Sequence, residues 1–350
     1  MAVALDIFLE LEVRECGEFS VDCDLAGVPL DRDNLVVRAF ETLHSADGIN
    51  FKVGGDIPLA RGMGSSAAAI VAGIVAADHL FELGLSRGEM LEHANRLEGH
   101  PDNVAAALSG GFVICAERDG RVISTRVDSP EGLEGILVIP HEPVSTNEAR
   151  LAIPAEVPVG DLVGNVSAAA LLTLGLSRGD FDLISAGLRD HLHQDRRRHL
   201  FPRSMEVVEK ASEFGAIGAT ISGAGPTVLV WSGWQETGPV VEALRNHCGD
   251  WANVRRVGFS PLGADVPEQV VLDRELRQPR CRGEEVTVPD GVRLQVGDGL
   301  RLRRLPFSSW PGLSRPSTPF LLNRSEDVDA RDKPGHDELG AFGPPAPASW

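Results

Sequence analysis

The sequence predicts an α+β protein with two folded domains and a C-terminal tail. Apolar segments typical of strands are mixed with helical segments, without the strict alternation of a parallel α/β fold. The 350 residues are enough for two hydrophobic cores. Beyond about residue 270, periodic apolar runs become rare and prolines frequent. We therefore expect domains at residues 1–140 and 141–268, and an extra, largely disordered tail at 269–350.

The predicted elements follow apolar periodicity and the glycines and prolines that bound it. In the first domain we expect strands near residues 3–13, 18–23, 49–55, 110–117, 121–127 and 135–140, and helices near 34–44, 67–80, 86–97 and 102–108. In the second we expect helices near 162–176, 180–193, 203–214 and 235–247, and strands near 216–222, 228–231 and 253–260. In the tail, only residues 286–305 suggest a small hairpin.

A glycine-rich turn runs directly into an alanine-rich helical segment at residues 58–80. Gly62 and Gly64 allow positive φ and close backbone approach, and Ser65 and Ser66 stand where the helix begins, as favoured N-cap residues. Unpaired N–H groups and the positive end of the helix dipole then coincide, which makes an anion site. Phosphate is the expected guest, and a tight turn that caps a core helix is the alternative.

Two familiar phosphate loops fit this turn poorly. The Walker form requires Gly-Lys-Ser/Thr, and none of the lysines in the chain follows a glycine. The dinucleotide form matches Gly62, Gly64 and Ala67, but its acidic residue, about 20 positions further on, would be Asp78 or Glu82, inside or at the end of the helix. A dinucleotide-dependent oxidoreductase therefore stays a minor alternative.

A polar cluster interrupts two apolar helical runs at residues 97–104. His100, Asp102 and Asn103 lie there, and Pro101 suits the first turn of a helix. Glu92 lies on the preceding helical stretch, and a carboxylate there can hold Mg²⁺, which takes one or two protein oxygens plus phosphate. Helix capping by Asp102 and Asn103, with Glu92 on a solvated face, is the alternative.

A third element, Gly-Ala-Gly-Pro-Thr at residues 223–227, lies between two apolar strands. Alone it indicates a hairpin. Together, the three elements resemble the GHMP small-molecule kinases, and among them the homoserine kinases. Those enzymes carry Pro-x-x-x-Gly-Leu-Gly-Ser-Ser-Ala, Glu-Gly-His-Pro-Asp-Asn-Val-Ala and Ser-Gly-Ser/Ala-Gly-Pro-Thr, and the matching segments here are 58–67, 98–105 and 222–227.

The middle run is the most specific of the three, because it separates homoserine kinases from mevalonate and galactose kinases. The resemblance covers roughly residues 1–268. It implies a two-domain GHMP-kinase fold, with an N-terminal βαβ-type nucleotide domain, a C-terminal ferredoxin-like domain and the active site between them. It also implies ATP and Mg²⁺ as cofactors and phosphorylation of the side-chain hydroxyl of L-homoserine.

The resemblance assigns roles to particular residues. ATP is expected to contact Pro58, Arg61, Gly62, Met63, Gly64, Ser65, Ser66, Ala67, Ala68 and, near the adenine, Asn34. Magnesium is expected at Ser65 or Ser66 with Glu92. The acceptor is expected at His100, Asp102, Asn103, Arg197, Gly223 and Gly225. Catalysis is assigned to Asp102, Asn103 and Arg61. Asp102 either accepts the hydroxyl proton or only orients the hydroxyl, and Arg61 either stabilises developing charge or is an exposed loop arginine.

Two departures from the family pattern concern the acceptor pocket. The family's opening strand and its Pro-x-Ser-x-Asn-Leu-Gly-x-Gly-Phe-Asp loop have no counterpart here, so we expect either a start codon upstream of Met1 or a partly lost pocket. A family arginine in Asn-Val-Ser-Arg-Ala-Ala-Leu is Ala168 here, which leaves Arg197 alone at the carboxylate. A kinase for another small alcohol and a non-catalytic, nucleotide- or metabolite-binding relic therefore remain alternatives.

The net charge of −18 lies in residues 1–269, because acidic and basic side chains balance beyond them. An acidic body repels nucleic acid and anionic membranes, so we expect neither partner. The longest apolar run, Ala67–Ala77, is too short to cross a bilayer, and the five cysteines show no Cys-x-x-Cys pairing. We expect a cytoplasmic protein with reduced thiols, and the resemblance adds a homodimer.

Overall fold

The computed structural model describes residues 1–25, 27–264 and 300–309. The strands are β1 (Ala2–Glu15), β2 (Ser20–Cys23), β3 (Ile49–Gly55), β4 (Phe112–Arg118), β5 (Arg121–Val127), β6 (Leu133–Pro140), β7 (Gly218–Ile221), β8 (Val228–Gly233), β9 (Ala252–Val257) and β10 (Leu300–Ser309). The helices are α1 (Leu35–Glu41), α2 (Ser65–Leu80), α3 (Arg87–Glu98), α4 (Pro101–Ser109), α5 (Thr146–Leu151), α6 (Val159–Arg178), α7 (Phe181–Gly187), α8 (Gln194–Arg197), α9 (Pro202–Glu209) and α10 (Thr237–Cys248). A 3₁₀ turn follows α8 at Arg198–Leu200.

Two sheets define two lobes, in agreement with the two folded domains expected from the sequence. The first sheet has the order β2-β3-β1-β4-β5, with β10 also paired to β1, and the second has the order β7-β8-β6-β9. Strand β6 pairs with β8 and β9, so the change of sheet falls between Val127 and Leu133. The boundary expected at residue 140 is therefore too late, because the apolar pattern of β6 does not reveal which sheet it joins. We call residues 1–127 the first lobe and 133–257 the second lobe.

The tail prediction is mostly untested by the structure. Apart from residues 300–309, the expected disordered tail and the hairpin near 286–305 lie outside the described residues. Residues 300–309 form a strand, which the sequence analysis did not expect for residues 306–309. Pro306 argues against a central strand, and it lies beside an irregularity in the β1–β10 register.

Helix α2 holds the phosphate loop on a rigid support. Every residue from Ala67 to Ala77 is buried, as expected of a helix that is apolar all round. Gly73 lets α1 approach closely, because a Cβ there would lie 2.2 Å from the carbonyl oxygen of Val36. Each large apolar side chain buried in this way contributes on the order of 1.5–3 kcal/mol.

The two lobes share a core. Phe112 of β4, Trp231 of β8 and Phe259 pack together, with ring centroids 5.0 to 5.7 Å apart. After β9 the chain returns to the first lobe, where the Ser260 amide donates to the Ala4 carbonyl at 2.9 Å. The lobes are thus joined by aromatic packing and by main-chain hydrogen bonds.

Helix α6 was expected from the sequence, but it is longer than expected and apolar over most of its length. By length and composition alone it could cross a membrane, contrary to the expectation that no such segment exists. In the structure it packs along α7, where a Cβ on Gly187 would lie 2.4 Å from the Leu172 amide nitrogen. Its Asp161 accepts a hydrogen bond from Arg196 at 2.7 Å, so α6 is tied to the second lobe.

Candidate active site

The phosphate loop, residues 58–64, joins β3 to α2. Gly62 and Gly64 have φ of 72° and 67°, as the glycine pattern predicts. Gly64 is the N-cap of α2, so Ser65 and Ser66 are its first two residues and not its cap, which corrects their expected place. Among the described residues no side chain caps this helix end. Its first N–H groups are therefore left for an anion.

The phosphate loop lies directly against the glycine-rich loop at residues 222–227. A Cβ on Gly62 would lie 2.4 Å from the Ser222 carbonyl oxygen and 2.5 Å from that of Gly225. The Ser222 hydroxyl donates to the Gly62 carbonyl at 2.8 Å. Position 223 also requires a glycine, because a Cβ there would lie 2.8 Å from the Gly62 carbonyl oxygen. Gly223 and Gly225 thus shape the phosphate loop, and direct contact with the acceptor stays a prediction.

Several predicted nucleotide contacts can involve only backbone. Met63, Ala67 and Ala68 are buried in the core, so their side chains anchor the loop and cannot reach ATP. Asn34 is a correction: its Oδ1 accepts from the Val36 amide at 2.9 Å and its Nδ2 donates to the Pro29 carbonyl at 2.8 Å. This buried amide caps α1, and both of its ends are occupied, so it is not available to an adenine.

Arg61 connects the phosphate loop to the second lobe. Its Nε donates to the Pro140 carbonyl at 2.9 Å, its Nη2 to the His141 carbonyl at 2.6 Å and its Nη1 to the Leu59 carbonyl at 3.3 Å. Neither of the two roles considered for Arg61 describes this arrangement. A role in stabilising developing charge stays a prediction, and it requires Arg61 to exchange these carbonyls for phosphate oxygens.

The predicted polar cluster forms where α3 ends and α4 begins. Gly99 has a positive φ of 81°, which turns the chain so that His100 becomes the N-cap of α4 and Pro101 its first residue. The His100 Nδ1 lies 3.6 Å from Asp102 Oδ1, and its Nε2 lies 3.9 Å from Glu98 Oε1. Glu98 also accepts a hydrogen bond from the Ser66 hydroxyl at 2.8 Å. The cluster therefore touches the start of α2.

Burial and pairing set the charges of this cluster. Burial alone would raise the pKa of Asp102, but the charges of His100 and of the Met1 amino group, with a hydrogen bond from the Asn103 amide, hold it below its usual range. Burial opposes charge on His100 too, yet Asp102 and Glu98 raise its pKa. Burial raises the pKa of Glu98 despite the Ser66 hydroxyl. Asp102 is therefore a stable carboxylate at neutral pH.

Two arginines lie together at the far side of His100. Arg197 is 3% exposed; its Nε donates to the Ala149 carbonyl at 2.8 Å and its Nη1 to the Gly223 carbonyl at 3.2 Å. The guanidinium of Arg150 contacts His100 Nε2. Burial lowers the pKa of Arg197, the nearby Asp190 carboxylate acts against this, and the charge of Arg150 lowers it again. A second arginine, Arg150, therefore lies near Arg197, which the expectation drawn from Ala168 did not include.

Arg150 and Glu98 were missed by the sequence analysis. Glu98 belongs to the Glu-Gly-His-Pro-Asp-Asn run, so the motif contained it, but nothing in the spacing pairs it with Ser66. Arg150 lies on the short helix α5, and the start of α5 was readable because Ser145 precedes Glu148 by three residues. That signal places a helix and gives no reason to select Arg150.

The magnesium ligands stay a prediction, and the contacts of Glu92 and Ser66 favour a different carboxylate from the expected one. The Glu92 carboxylate accepts from the Val122 amide of β5 at 3.1 Å, so it supports the sheet, and the Ser66 hydroxyl contacts Glu98 instead. A hydroxyl beside a carboxylate at the start of a phosphate-binding helix fits Mg²⁺, which takes few protein oxygens. Within the described residues, no cluster of three or more His, Cys, Asp or Glu side chains forms a metal site. Ser66 and Glu98 would thus hold the ion together with phosphate oxygens.

Comparisons with known proteins identify both family domains in this chain. The GHMP kinase N-terminal domain matches residues 34–111 and the GHMP kinase C-terminal domain matches residues 169–250. A homoserine kinase of Thermus thermophilus is 39% identical over 254 residues, which are 71% of this chain and 86% of that protein. One from Synechococcus is 44% identical over 217 residues, which are 60% of this chain and 68% of that protein.

Solved structures show the same fold. A homoserine kinase of Cytophaga hutchinsonii superposes with a TM-score of 0.65 at 25% identity, covering 75% of this chain and 96% of that one. The mevalonate kinase of L. major shares the fold at 18% identity, with a TM-score of 0.57 over 75% of this chain and 89% of that one. The chain belongs to the GHMP kinase family, among the homoserine kinases.

Proposed function

We propose that this chain is an ATP-dependent homoserine kinase that makes O-phospho-L-homoserine. The observation that carries the proposal is the contact between the α2 phosphate site and the acceptor cluster, through Ser66 and Glu98. An anion site alone would bind any phosphate. Next to an ionised Asp102 and two arginines, it is arranged for transfer to an anionic alcohol.

The reaction needs positioning and charge stabilisation more than covalent chemistry. The acceptor oxygen bonds to the γ-phosphorus while the bond to the oxygen bridging the β- and γ-phosphorus breaks. ADP leaves with that oxygen, and the hydroxyl proton passes to solvent. The N–H groups at the start of α2 hold the phosphates. Mg²⁺, when bound, neutralises phosphate charge. Because Asp102 has a lowered pKa it is a weak base, which supports a role in orienting the hydroxyl.

Arg150 and Arg197 support an acceptor that carries a carboxylate. Arginine binds carboxylates through two parallel hydrogen bonds, and both guanidiniums lie beside the acceptor cluster, at His100 and at the Gly223 carbonyl. This favours homoserine over a neutral small alcohol. The dinucleotide-dependent oxidoreductase has no support, because the family assigned above is a kinase family.

The test is a coupled ADP-release assay with Mg-ATP and either L-homoserine or 3-aminopropan-1-ol, which lacks the carboxylate. We expect turnover with homoserine and at least a 100-fold lower kcat/KM with the amino alcohol. Equal rates would support another small alcohol as the natural acceptor. ATP binding without turnover of either compound would support the non-catalytic alternative.

The homodimer and the cytoplasmic location stay predictions. Helix α6 exposes an apolar stripe, formed by Val159, Leu162, Val163 and Val166, and this is the surface to test first for contact with a second copy. Light scattering of the parent and of Val163→Glu, at equal concentration, would measure the mass of each.

A further inference from the structure

Strand β1 uses one of its two edges for the rest of the first lobe. Its even-numbered residues point to that edge: the Ala4 amide donates to Gly111, the Asp6 amide to Gly258, and the Phe8 carbonyl accepts from Asp56. Strand β3 continues the same edge from Leu9 to Glu15. The odd-numbered backbone groups therefore point to the opposite edge.

Strand β10 occupies that opposite edge. It runs antiparallel to β1, from Leu300 opposite Val13 to Ser309 opposite Val3, with two irregularities in the register. Among the described residues, β10 is the only strand that pairs there. It lies beyond residue 250, where the match to the C-terminal family domain ends.

Two buried helices lie close to this strand. Helix α2 is buried on all sides from Ala67 to Ala77, and α4 buries Val104 to Leu108. The β10 backbone lies close to both helices as well as to β1. An apolar helix face left without cover would be exposed to water at a cost of about 25 cal/mol per Å².

We propose that residues 300–309 are an integral strand of the nucleotide-binding lobe, so that the phosphate loop depends on the C-terminal part of the chain. The strand completes the sheet under α2, whose first turn holds the phosphates. It ends opposite Val3, close to Met1, whose nitrogen lies 3.8 Å from Asp102 Oδ2. Only the effect on turnover rests on the proposed kinase function.

A disulfide in the full chain tests the pairing and its register. Glu12 lies opposite Arg301 on one side and opposite Lys52 on the other. Since Glu12 is even-numbered, Glu12 and Arg301 form a non-hydrogen-bonded pair, with Cα atoms about 4.5 Å apart. Arg301 and Lys52 are two strand spacings apart, roughly 9.5 Å, which is too far for a disulfide.

We expect Glu12→Cys with Arg301→Cys to cross-link under mild oxidation, and Lys52→Cys with Arg301→Cys to stay reduced. Mass spectrometry of unreduced peptides identifies the linked segments even with the native cysteines present. No cross-link in the first variant, or equal cross-linking in both, would overturn the pairing.

Proline substitutions in the full chain test the dependence. Leu302 lies opposite Leu11 in the ladder, so Leu302→Pro removes an amide that faces β1, whereas the amide of the adjacent Arg301 faces away. We expect Leu302→Pro to lower Tm by roughly 5 °C or more and ADP release at least tenfold, with a much smaller effect of Arg301→Pro. Unchanged Tm and turnover in Leu302→Pro would overturn the proposal. Cross-linking and Tm need no homoserine turnover, so a failed kinase assignment would be recognised separately.

Discussion

The phosphate side and the acceptor side of this site are built differently. The phosphate loop is made of backbone, with glycines that allow close approach and N–H groups left at the start of α2. The acceptor cluster is made of side chains from three separated segments: Glu98 to Asp102, Arg150 and Arg197. The residues of the backbone site lie in one short run of sequence, so they can be recognised there. The residues of the side-chain site come together only when distant segments pack.

The largest expected effect is on the acceptor side. Asp102→Asn removes the carboxylate that orients the hydroxyl, and we expect kcat to fall about 10²-fold while ATP affinity stays within twofold. Steady-state kinetics and ATP titration measure the two quantities. Asp119→Asn is the control, because Asp119 is 90% exposed. A variant that retains more than a tenth of kcat would contradict the role of Asp102.

Replacing Arg150 should weaken the binding of homoserine and leave the binding of ATP unchanged. Arg150→Gln keeps a donor but loses the charge, and one charge-assisted hydrogen bond is worth roughly 1.5–3 kcal/mol. We therefore expect KM for homoserine to rise about 10- to 100-fold, with KM for ATP unchanged. Arg118→Gln, at an exposed arginine, should change neither. An equal rise in both KM values would mean that Arg150 supports the whole site.

Glu92 and Glu98 both lie on α3, so matched variants of the two test which of them binds magnesium. We expect Glu98→Gln to raise the Mg²⁺ concentration for half-maximal rate about tenfold, because it removes charge beside Ser66. Glu92→Gln should leave that concentration unchanged, since Glu92 bonds to β5. The titration is made at fixed ATP for both variants. The reverse order of effects would restore Glu92 as the ligand.

Two glycines with the same backbone conformation test the phosphate side. Gly62 and Gly84 have φ of 72° and 71°, but a Cβ on Gly84 would meet nothing within 4 Å. Both alanine variants carry the backbone cost of positive φ, about 1 kcal/mol. We expect only Gly62→Ala to weaken ATP binding as well, by about tenfold, in a calorimetric titration. Equal ATP affinity in the two variants would contradict the packing of Gly62 against the second lobe.

The smallest expected effect is on the pH dependence of stability. The pKa of His100 is raised above its ordinary 6.5, so its contribution is complete below that pH and is lost as pH rises through the raised pKa. Urea unfolding from pH 5.5 to 8.5 should show the parent losing less than about 1 kcal/mol relative to His100→Asn. Parallel pH profiles would show that protonated His100 stabilises nothing.

Turns and helix starts could be predicted from the sequence, whereas contacts between distant segments could not. The positive φ of Gly62 and Gly64 and the place of His100 and Asp102 at a helix start were predicted correctly, because turns and helix starts depend on only a few neighbouring residues. Asn34 was misassigned because an amide at a helix start and an amide in a binding site look alike in sequence. For Glu92 and Glu98, sequence alone did not show which of two carboxylates on one helix faces Ser66. Strand β10 was only partly anticipated, because the hairpin expected near residues 286–305 includes its first half, but nothing in the sequence pairs it with β1, almost 300 residues away.

The hydrogen bonds of Arg61 and Ser222 have a consequence for motion. They hold the phosphate loop to the second lobe at Pro140, His141 and Ser222. These bonds must break before the two lobes can separate at the phosphate loop, so the lobes are coupled at the point where the phosphates bind.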